Sequence, residues 1–329
     1  MAKTIAIVNQ KGGVGKTTTA INLAASVAHL GEKTLLVDLD PQANATSGLG
    51  LDQKSQEANI YHLLAGEKQI SDVILPTSVE FLDLVPSHIN LVGIEVELIS
   101  KEGRENHLKN LLSQFNSDYS YIFIDCPPSL SLLTINALCS SNSMLVPIQC
   151  EYYALEGLSR LMDTLQRVQD SLNPNLNIEG ILMTMYDSRI KLGNDVISEV
   201  AKAFPDKIYK TKIPRNVRLA ESPGYGKPVL VHDPSSRGAQ TYLKLAKEFL
   251  ERNGWVEKVE KIEEVAQEPI AENVMSEPAL TVSVPVFENG NGVHSNGSQS
   301  VSVEVKLEES KVEEIMNQET INQGEVIST

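Results

Sequence analysis

The chain has 329 residues, 41% of them hydrophobic, and a formal net charge of −15. That is enough apolar material for a sizeable core, while the charge argues against a nucleic-acid partner unless the acidity is confined to one part of the chain. It is so confined: residues 255–329 hold 15 Glu, no Asp and 4 Lys, a net of −11, which leaves −4 for the first 254 residues. Three cysteines without CxxC spacing and six scattered histidines suggest neither a disulfide framework nor a zinc site. No apolar run approaches the ~18 residues of a membrane span, and the start MAK leads into a strand-like run rather than a signal peptide. A cytoplasmic protein with no membrane partner is expected.

In chain order, short runs rich in Val, Ile and Leu recur as TIAIVN (4–9), KTLLVDLD (33–40), FLDLVP (81–86), YIFIDCPP (121–128), SMLVPIQ (143–149), IEGILMTMY (178–186) and KIYKTKIP (207–214). Near-continuous hydrophobicity predicts strands covered on both faces. Helical spacing marks 17–30, where Ala20, Ile21, Ala24, Val27 and Ala28 fall on one face and Gly31 supplies the stop, and also 155–172, 194–204 and 238–252. The alternation predicts an α/β fold, a doubly wound and mostly parallel sheet with helices on both faces, whose ligands sit at the carboxyl ends of the strands. The domain expected is 1–254. Residues 255–329 are rich in Glu, Ser, Asn and Val, with Trp255 and Phe287 as the sole aromatics. They are expected to be a disordered acidic tail, with a short helix near 304–316 as the alternative.

The stretch QKGGVGKT (10–17) follows the first strand and opens the first helix, the setting a phosphate loop requires. Glycines allow the N–H groups of Gly12, Gly13, Val14 and Gly15 to converge on a β-phosphate. The helix N-terminus adds partial positive charge, Lys16 can reach the β- and γ-phosphates, and the Thr17 hydroxyl can ligate Mg²⁺. The usual first glycine is Gln10, and a second lysine, Lys11, follows it.

This KGGVGKT form resembles the deviant Walker-A loop of the ParA/MinD superfamily of dimerising ATPases. LLVDLDPQANATSGLG, YIFIDCPPSL, TINAL, VPIQCEYYALEGL and IPRNVRLAESPGYGKP are similar to its chromosome-partitioning ParA (Soj) branch over residues 3–252. The resemblance implies ATP and Mg²⁺ as cofactors. It implies that Lys11 reaches across an ATP sandwich homodimer to the other subunit's phosphates, that Lys16 and Thr17 act as above, and that Thr18 supports the α-phosphate. By the same resemblance Asp40 positions or activates the hydrolytic water, Asp38 supports the Mg²⁺ shell, Asp125 holds Mg²⁺ through water, and Pro214 and Asn216 lie near the adenine.

Residues 201–254 carry 11 Lys or Arg against 5 Asp or Glu, a local +6 able to bind DNA without sequence preference. The resemblance places DNA contacts on Arg189 in MYDSR and Arg218 in PRNVR, with Lys244, Lys247 and Arg252 as weaker candidates. The expected function is a DNA-partitioning ATPase, nucleoid-associated, whose hydrolysis is stimulated by a ParB-like centromere-binding protein and whose cargo is a chromosome or plasmid. With the phosphate loop only ten residues in, no separate operator-binding domain is expected ahead of it. The acidic tail would compete with DNA for the basic surface. Four other readings are open to the same loop. Positioning of a protein cargo uses the same chemistry. A MinD-like membrane cycle ends in a basic amphipathic helix, which ETINQGEVIST does not match. Iron–sulfur carriers need paired cysteines, and a tyrosine kinase needs a tyrosine cluster in its tail.

Overall fold

The apolar runs assemble into one seven-stranded sheet in this computed structural model, which describes residues 1–52, 56–115, 117–151 and 154–256. Apart from residues 255 and 256, the tail and everything expected of it lie outside the described residues. The strands are β1 (Lys3–Ile7), β2 (Thr34–Asp38), β3 (Leu75–Pro76), β4 (Leu82–Val85), β5 (Tyr121–Asp125), β6 (Ser143–Gln149) and β7 (Asn177–Thr184). Their order is β3-β4-β2-β5-β1-β6-β7. All pairs are parallel except β3 with β4, which are antiparallel. The two-residue β3 gave no run long enough to register in the sequence.

Side chains alternate between the two faces of each strand, and both faces are covered. Ile5, Ile7, Leu36, Phe123 and Leu182 pack under α1 (Lys16–His29) and α11 (Arg237–Arg252), where the rings of Tyr121 and Phe123 lie 5.1 and 5.5 Å from that of Phe249. The short helices α2 (Asn44–Gly48), α9 (Val217–Glu221) and α10 (Val229–His232) lie on the same side. Ala6, Val8, Leu35, Val37, Ile122 and Ile124 face the other layer. That layer consists of α3 (Ile60–Ala65), α4 (Leu91–Glu97), α5 (His107–Leu112), α6 (Leu132–Ser140), α7 (Ala154–Ser171) and α8 (Lys191–Ala203). The chain leaves β1 toward β2 on one side and returns to β6 on the other, so the strand order reverses at β1. A crevice opens at such a switch point. Register brings Ile7, Asp125 and Asp38 to one level at the carboxyl end of three adjacent strands.

One expected strand is absent. KIYKTKIP runs along the outer edge of β7, joined to it by the bridges Ile181 to Ile208 and Tyr186 to Pro214 and by Ile213 N–H to the Met183 carbonyl (2.8 Å), without forming a continuous ladder. Between them the N–H groups of Lys210 and Thr211 donate to the Glu248 carboxylate on α11, at 2.7 and 2.9 Å, instead of to a strand. Gly180 allows the close approach, since a Cβ there would lie 2.3 Å from the Tyr209 ring. Burial works to raise the Glu248 pKa, but the backbone donors outweigh it and the net shift is downward. Glu248→Ala is therefore expected to lower stability by about 2 kcal/mol in urea unfolding, the scale of hydrogen bonds to a charged acceptor. Because the native pKa is depressed, Glu248's advantage over Gln is fully present above the unfolded carboxylate value of about 4.3 and is lost as pH falls through the native value.

Candidate nucleotide site

The phosphate loop is pinned from below before it turns. Val8 N–H donates to the Leu145 carbonyl at 3.0 Å, and the Asn9 side chain spans from the Pro147 carbonyl (2.7 Å) to Lys11 N–H (3.0 Å). At the far end buried Val14 accepts 2.8 Å from the Thr184 hydroxyl of β7 through its carbonyl. Gly13 and Gly15 adopt φ of 75° and 88°, a conformation that strains other residues. No side chain caps α1 and no acidic residue stands in its first turn, which leaves its N-terminal N–H groups for an anion.

Behind the loop lie a lysine and three carboxylates. Lys16 is buried, and its amine reaches the Lys11 carbonyl at 3.3 Å. Burial lowers its pKa, against the opposing pull of Asp125 and Asp40. Asp125 is fully buried, and neither carboxylate oxygen receives a hydrogen bond of ordinary geometry. Burial and then Asp38 raise its pKa, while Thr17 lies close enough to oppose the rise. Asp38 is fully paired: Oδ1 accepts Asp40 N–H (3.2 Å), and Oδ2 accepts the N–H (2.8 Å) and hydroxyl (2.7 Å) of Thr46. Burial nevertheless raises its pKa. Asp40 accepts Gln42 N–H at 3.0 Å and is itself buried.

An unpaired buried carboxylate beside a threonine hydroxyl fits a hard divalent cation, which takes oxygen ligands and keeps several waters. Among the described residues no group of three or more His, Cys, Asp or Glu could hold a metal unaided. Most of an Mg²⁺ ion's ligands here would therefore be phosphate and water, with Thr17 and Asp125 as the protein's share. Asp38 has its oxygens already taken by Asp40 N–H and Thr46.

Lys11 stands apart from this cluster. Its Nζ pairs with Glu151 Oε2 at 2.5 Å, both side chains about half exposed. A cavity of about 230 Å³ adjoins the loop and is lined by Gly15, Thr18, Met185, Pro214, Asn216 and Tyr242, among others. Asn216 also caps α9, accepting Leu219 N–H at 3.2 Å. A larger opening, about 520 Å³, lies at the amino-terminal edge of the sheet. Its Glu179 is already matched by Lys3 at 2.6 Å. The smaller cavity is the one contiguous with the phosphate loop.

The loop residues, Asp38, Asp40 and Asp125 are thus gathered at one crevice, with Pro214 and Asn216 on its flank. Asn9, Glu151, Thr184 and Tyr242 were missed in the sequence. Thr184 ends an apolar strand, a signal that could have found it. The two arginines lie elsewhere, Arg189 in the turn after β7 and Arg218 on α9. Arg189 is 87% exposed and grips Asp187 with Nε and Nη2 at 2.9 and 2.6 Å, holding that carboxyl below its usual range. Arg218 pairs with Glu221 (2.8 Å) and Asp233 (3.2 Å). Arg252 is committed to the fold, covering the Tyr209 ring at 4.1 Å and pairing with Glu248.

Comparison with known proteins matches residues 2–178 to the AAA domain family. The chain is 56% identical over 248 residues to the sporulation initiation inhibitor protein Soj of Bacillus subtilis, covering 75% of this chain and 98% of that protein. It is 49% identical over 253 residues to the chromosome partitioning protein ParA of Myxococcus xanthus, covering 77% and 89%. The solved cobyrinic acid a,c-diamide synthase of Mycobacterium smegmatis with bound ADP and magnesium superposes with a TM-score of 0.69 at 35% identity, over 77% of this chain and 96% of that one. With its phosphate loop at the switch point of a doubly wound sheet, the chain belongs to the ParA/MinD superfamily of P-loop ATPases, in the branch of the chromosome-partitioning ParA and Soj proteins.

Proposed function

We propose that this protein is a Mg²⁺-dependent DNA-partitioning ATPase that closes around ATP as a sandwich dimer, binds nucleoid DNA without sequence preference, and hydrolyses ATP when a ParB-like partner stimulates it. The observation that carries the reading is the division between two lysines of one loop. Lys16 is buried among Asp125 and Asp40 and serves its own subunit's phosphates, while Lys11 projects to the surface on Glu151. A second subunit's triphosphate would give Lys11 a stronger partner than a half-exposed carboxylate. The names of the relatives support partitioning, and the ADP and magnesium in the solved relative support the cofactors.

In the reaction ATP and water become ADP and phosphate. Loop N–H groups from Gly12 to Lys16 hold the β-phosphate, Thr18 the α-phosphate, and the cavity beside Pro214 and Asn216 takes the base. Thr17 and Asp125 would hold Mg²⁺, which would offset the charge of the phosphates. Asp40, oriented by Gln42 N–H and by its own N–H on Asp38, aligns the attacking water. Phosphates of DNA replace Asp187, Glu221 and Asp233 as partners of Arg189 and Arg218. The protein works in the cytoplasm on the nucleoid, with a chromosome or plasmid as cargo.

Three outcomes test this reading. Lys11→Ala should keep nucleotide but lose ATP-dependent dimer and DNA binding, whereas Glu151→Gln should form dimer at a two- to fivefold lower ATP concentration, roughly the worth of a surface ion pair. Light scattering across an ATP titration decides between them. Asp40→Ala should keep the ATP dimer on DNA while single-turnover hydrolysis falls by about 10²–10⁴-fold, the usual share of a positioned proton acceptor. Arg189→Ala with Arg218→Ala should leave ATP binding intact and flatten the plot of log DNA affinity against log salt by about 0.9 per lost phosphate contact.

A further inference from the structure

Helix α4 is apolar on both sides. Leu91, Ile94 and Leu98 face the core at 0% exposure, whereas Ile89, Val92, Val96 and Ile99 are 53, 60, 71 and 62% exposed. The second set is spaced three, four and three residues apart, a single stripe along one helical face. Turn hydrogen bonds from Val92 N–H to Ile89 and from Ile99 N–H to Val96 carry that face past both helix ends. Surface helices ordinarily present polar residues outward, and a contiguous bare apolar stripe marks an interaction surface.

Ile99 also walls an open groove of about 520 Å³ whose apolar lining is completed by Leu132 and Ile135 of α6 and by Leu172. Carboxylates rim it. Glu95 and Glu105 line the groove, and exposed Glu97 and Glu102 stand beside the stripe. Arg104 and Glu105 pair with each other (3.1 Å), the Arg104 guanidinium also reaching the Ile99 carbonyl (2.7 Å), so Glu95, Glu97 and Glu102 against exposed Lys101 leave the rim at a formal −2.

The entry to α4 is tied to the nucleotide crevice. Ser87 N–H donates to the Thr46 hydroxyl (2.9 Å), that hydroxyl donates to Asp38 (2.7 Å), and Asp38 accepts Asp40 N–H (3.2 Å). Three hydrogen bonds therefore connect the entry to α4 with the backbone of Asp40, the residue proposed to align water.

We infer that the outer face of α4, with the groove beside Ile99, docks a basic amphipathic segment of a protein partner, and that docking is relayed through Ser87, Thr46 and Asp38 to Asp40. The relay rests on the role proposed for Asp40; the docking does not. Charge selects the occupant. The chain's own tail carries −11 and would meet an acidic rim. A second copy would set the same rim against itself, and nucleic acid would be repelled. An apolar helical face flanked by Lys or Arg meets both the stripe and its carboxylates.

The probe is a fluorescein-labelled 18-residue Leu/Lys peptide ordered to form one apolar helical face, read by anisotropy against the full-length protein with ATP. The control is the same composition scrambled so that no face forms. The ordered peptide should bind at least tenfold more tightly. Val96→Asn with Ile99→Asn, which leaves charge and the buried face of α4 unchanged, should remove that preference. Glu95→Gln with Glu105→Gln should weaken binding and flatten its salt dependence, while unstimulated ATP hydrolysis stays at the parent rate in both variants. Equal binding of the scrambled peptide, or undiminished binding by the Asn variant, would overturn the docking site. Concentration-dependent self-association of the parent that the Asn variant lacks would overturn it in favour of a second copy. The relay has its own readout: the ordered peptide should change the hydrolysis rate of the parent but not of Thr46→Val, which still binds it. Binding without a rate change in the parent would overturn the relay and leave the docking site standing. A parent with no ATPase activity would fail the proposed function while the anisotropy result remains readable.

Discussion

Three carboxylates and one ammonium group buried at the ends of adjacent strands are the constraint on which the rest of the structure depends. Asp38 and Asp125 are opposite one another in the register of β2 and β5, and Asp40 and Lys16 approach the same space. Charges of one sign in a dry site repel strongly, and a single lysine leaves the cluster net negative when all are ionised. The fold answers differently for each acid. Asp38 is satisfied by three donors, Asp40 by Gln42 N–H, and Asp125 by none of ordinary geometry. A buried carboxylate without donors is destabilising in isolation, so its presence beside an open phosphate loop points to a cation as its missing partner. Perturbed carboxylates gather at functional sites for this reason.

The same arrangement explains why the loop must be held from several strands. A flexible anion-binding loop would collapse its N–H groups onto these carboxylates. Asn9 ties it to β6 and Thr184 of β7 holds its far end at Val14, so the cradle stays turned outward while Lys16 alone turns in. Thr46 carries the arrangement to the other side of the crevice. Its hydroxyl links Asp38 to Ser87, so that α2 and the entry to α4 share one hydrogen-bonded chain with the acids.

This division of labour also separates what the sequence showed from what it hid. Strands buried on both faces announce themselves as unbroken apolar runs, and a phosphate loop as a glycine cluster between strand and helix, because both are local consequences of burial and backbone conformation. KIYKTKIP has the composition of a strand and fails to be one because Glu248, 38 residues further along, takes the N–H of Lys210. Glu151 lies 140 positions from Lys11 and Thr184 lies 170 from Val14, so their roles exist only once nonadjacent strands are paired. The single-turn helices between β2 and β5 are too short to show a helical period of their own, and α4 conceals itself further by being apolar on both faces.

Charge masking on the two arginines bears on how an acidic protein could hold DNA at all. Arg189 and Arg218 are each neutralised by a neighbouring carboxylate at 2.6–2.8 Å. A phosphate must displace that carboxylate, and since exposed ion pairs are worth only about 0–1 kcal/mol, displacement is cheap but the net gain per arginine is correspondingly small. One subunit offering two such contacts would bind weakly at physiological salt, where each phosphate contact is already discounted by counterion competition. Joining two subunits doubles the contacts on one rigid body and makes the second set intramolecular, which raises affinity by far more than the sum of the parts. Under the proposed function, masked arginines would make DNA binding depend on dimer formation without any change in the arginine surface itself, and would place control of that step on the loop where Lys11 pairs with Glu151.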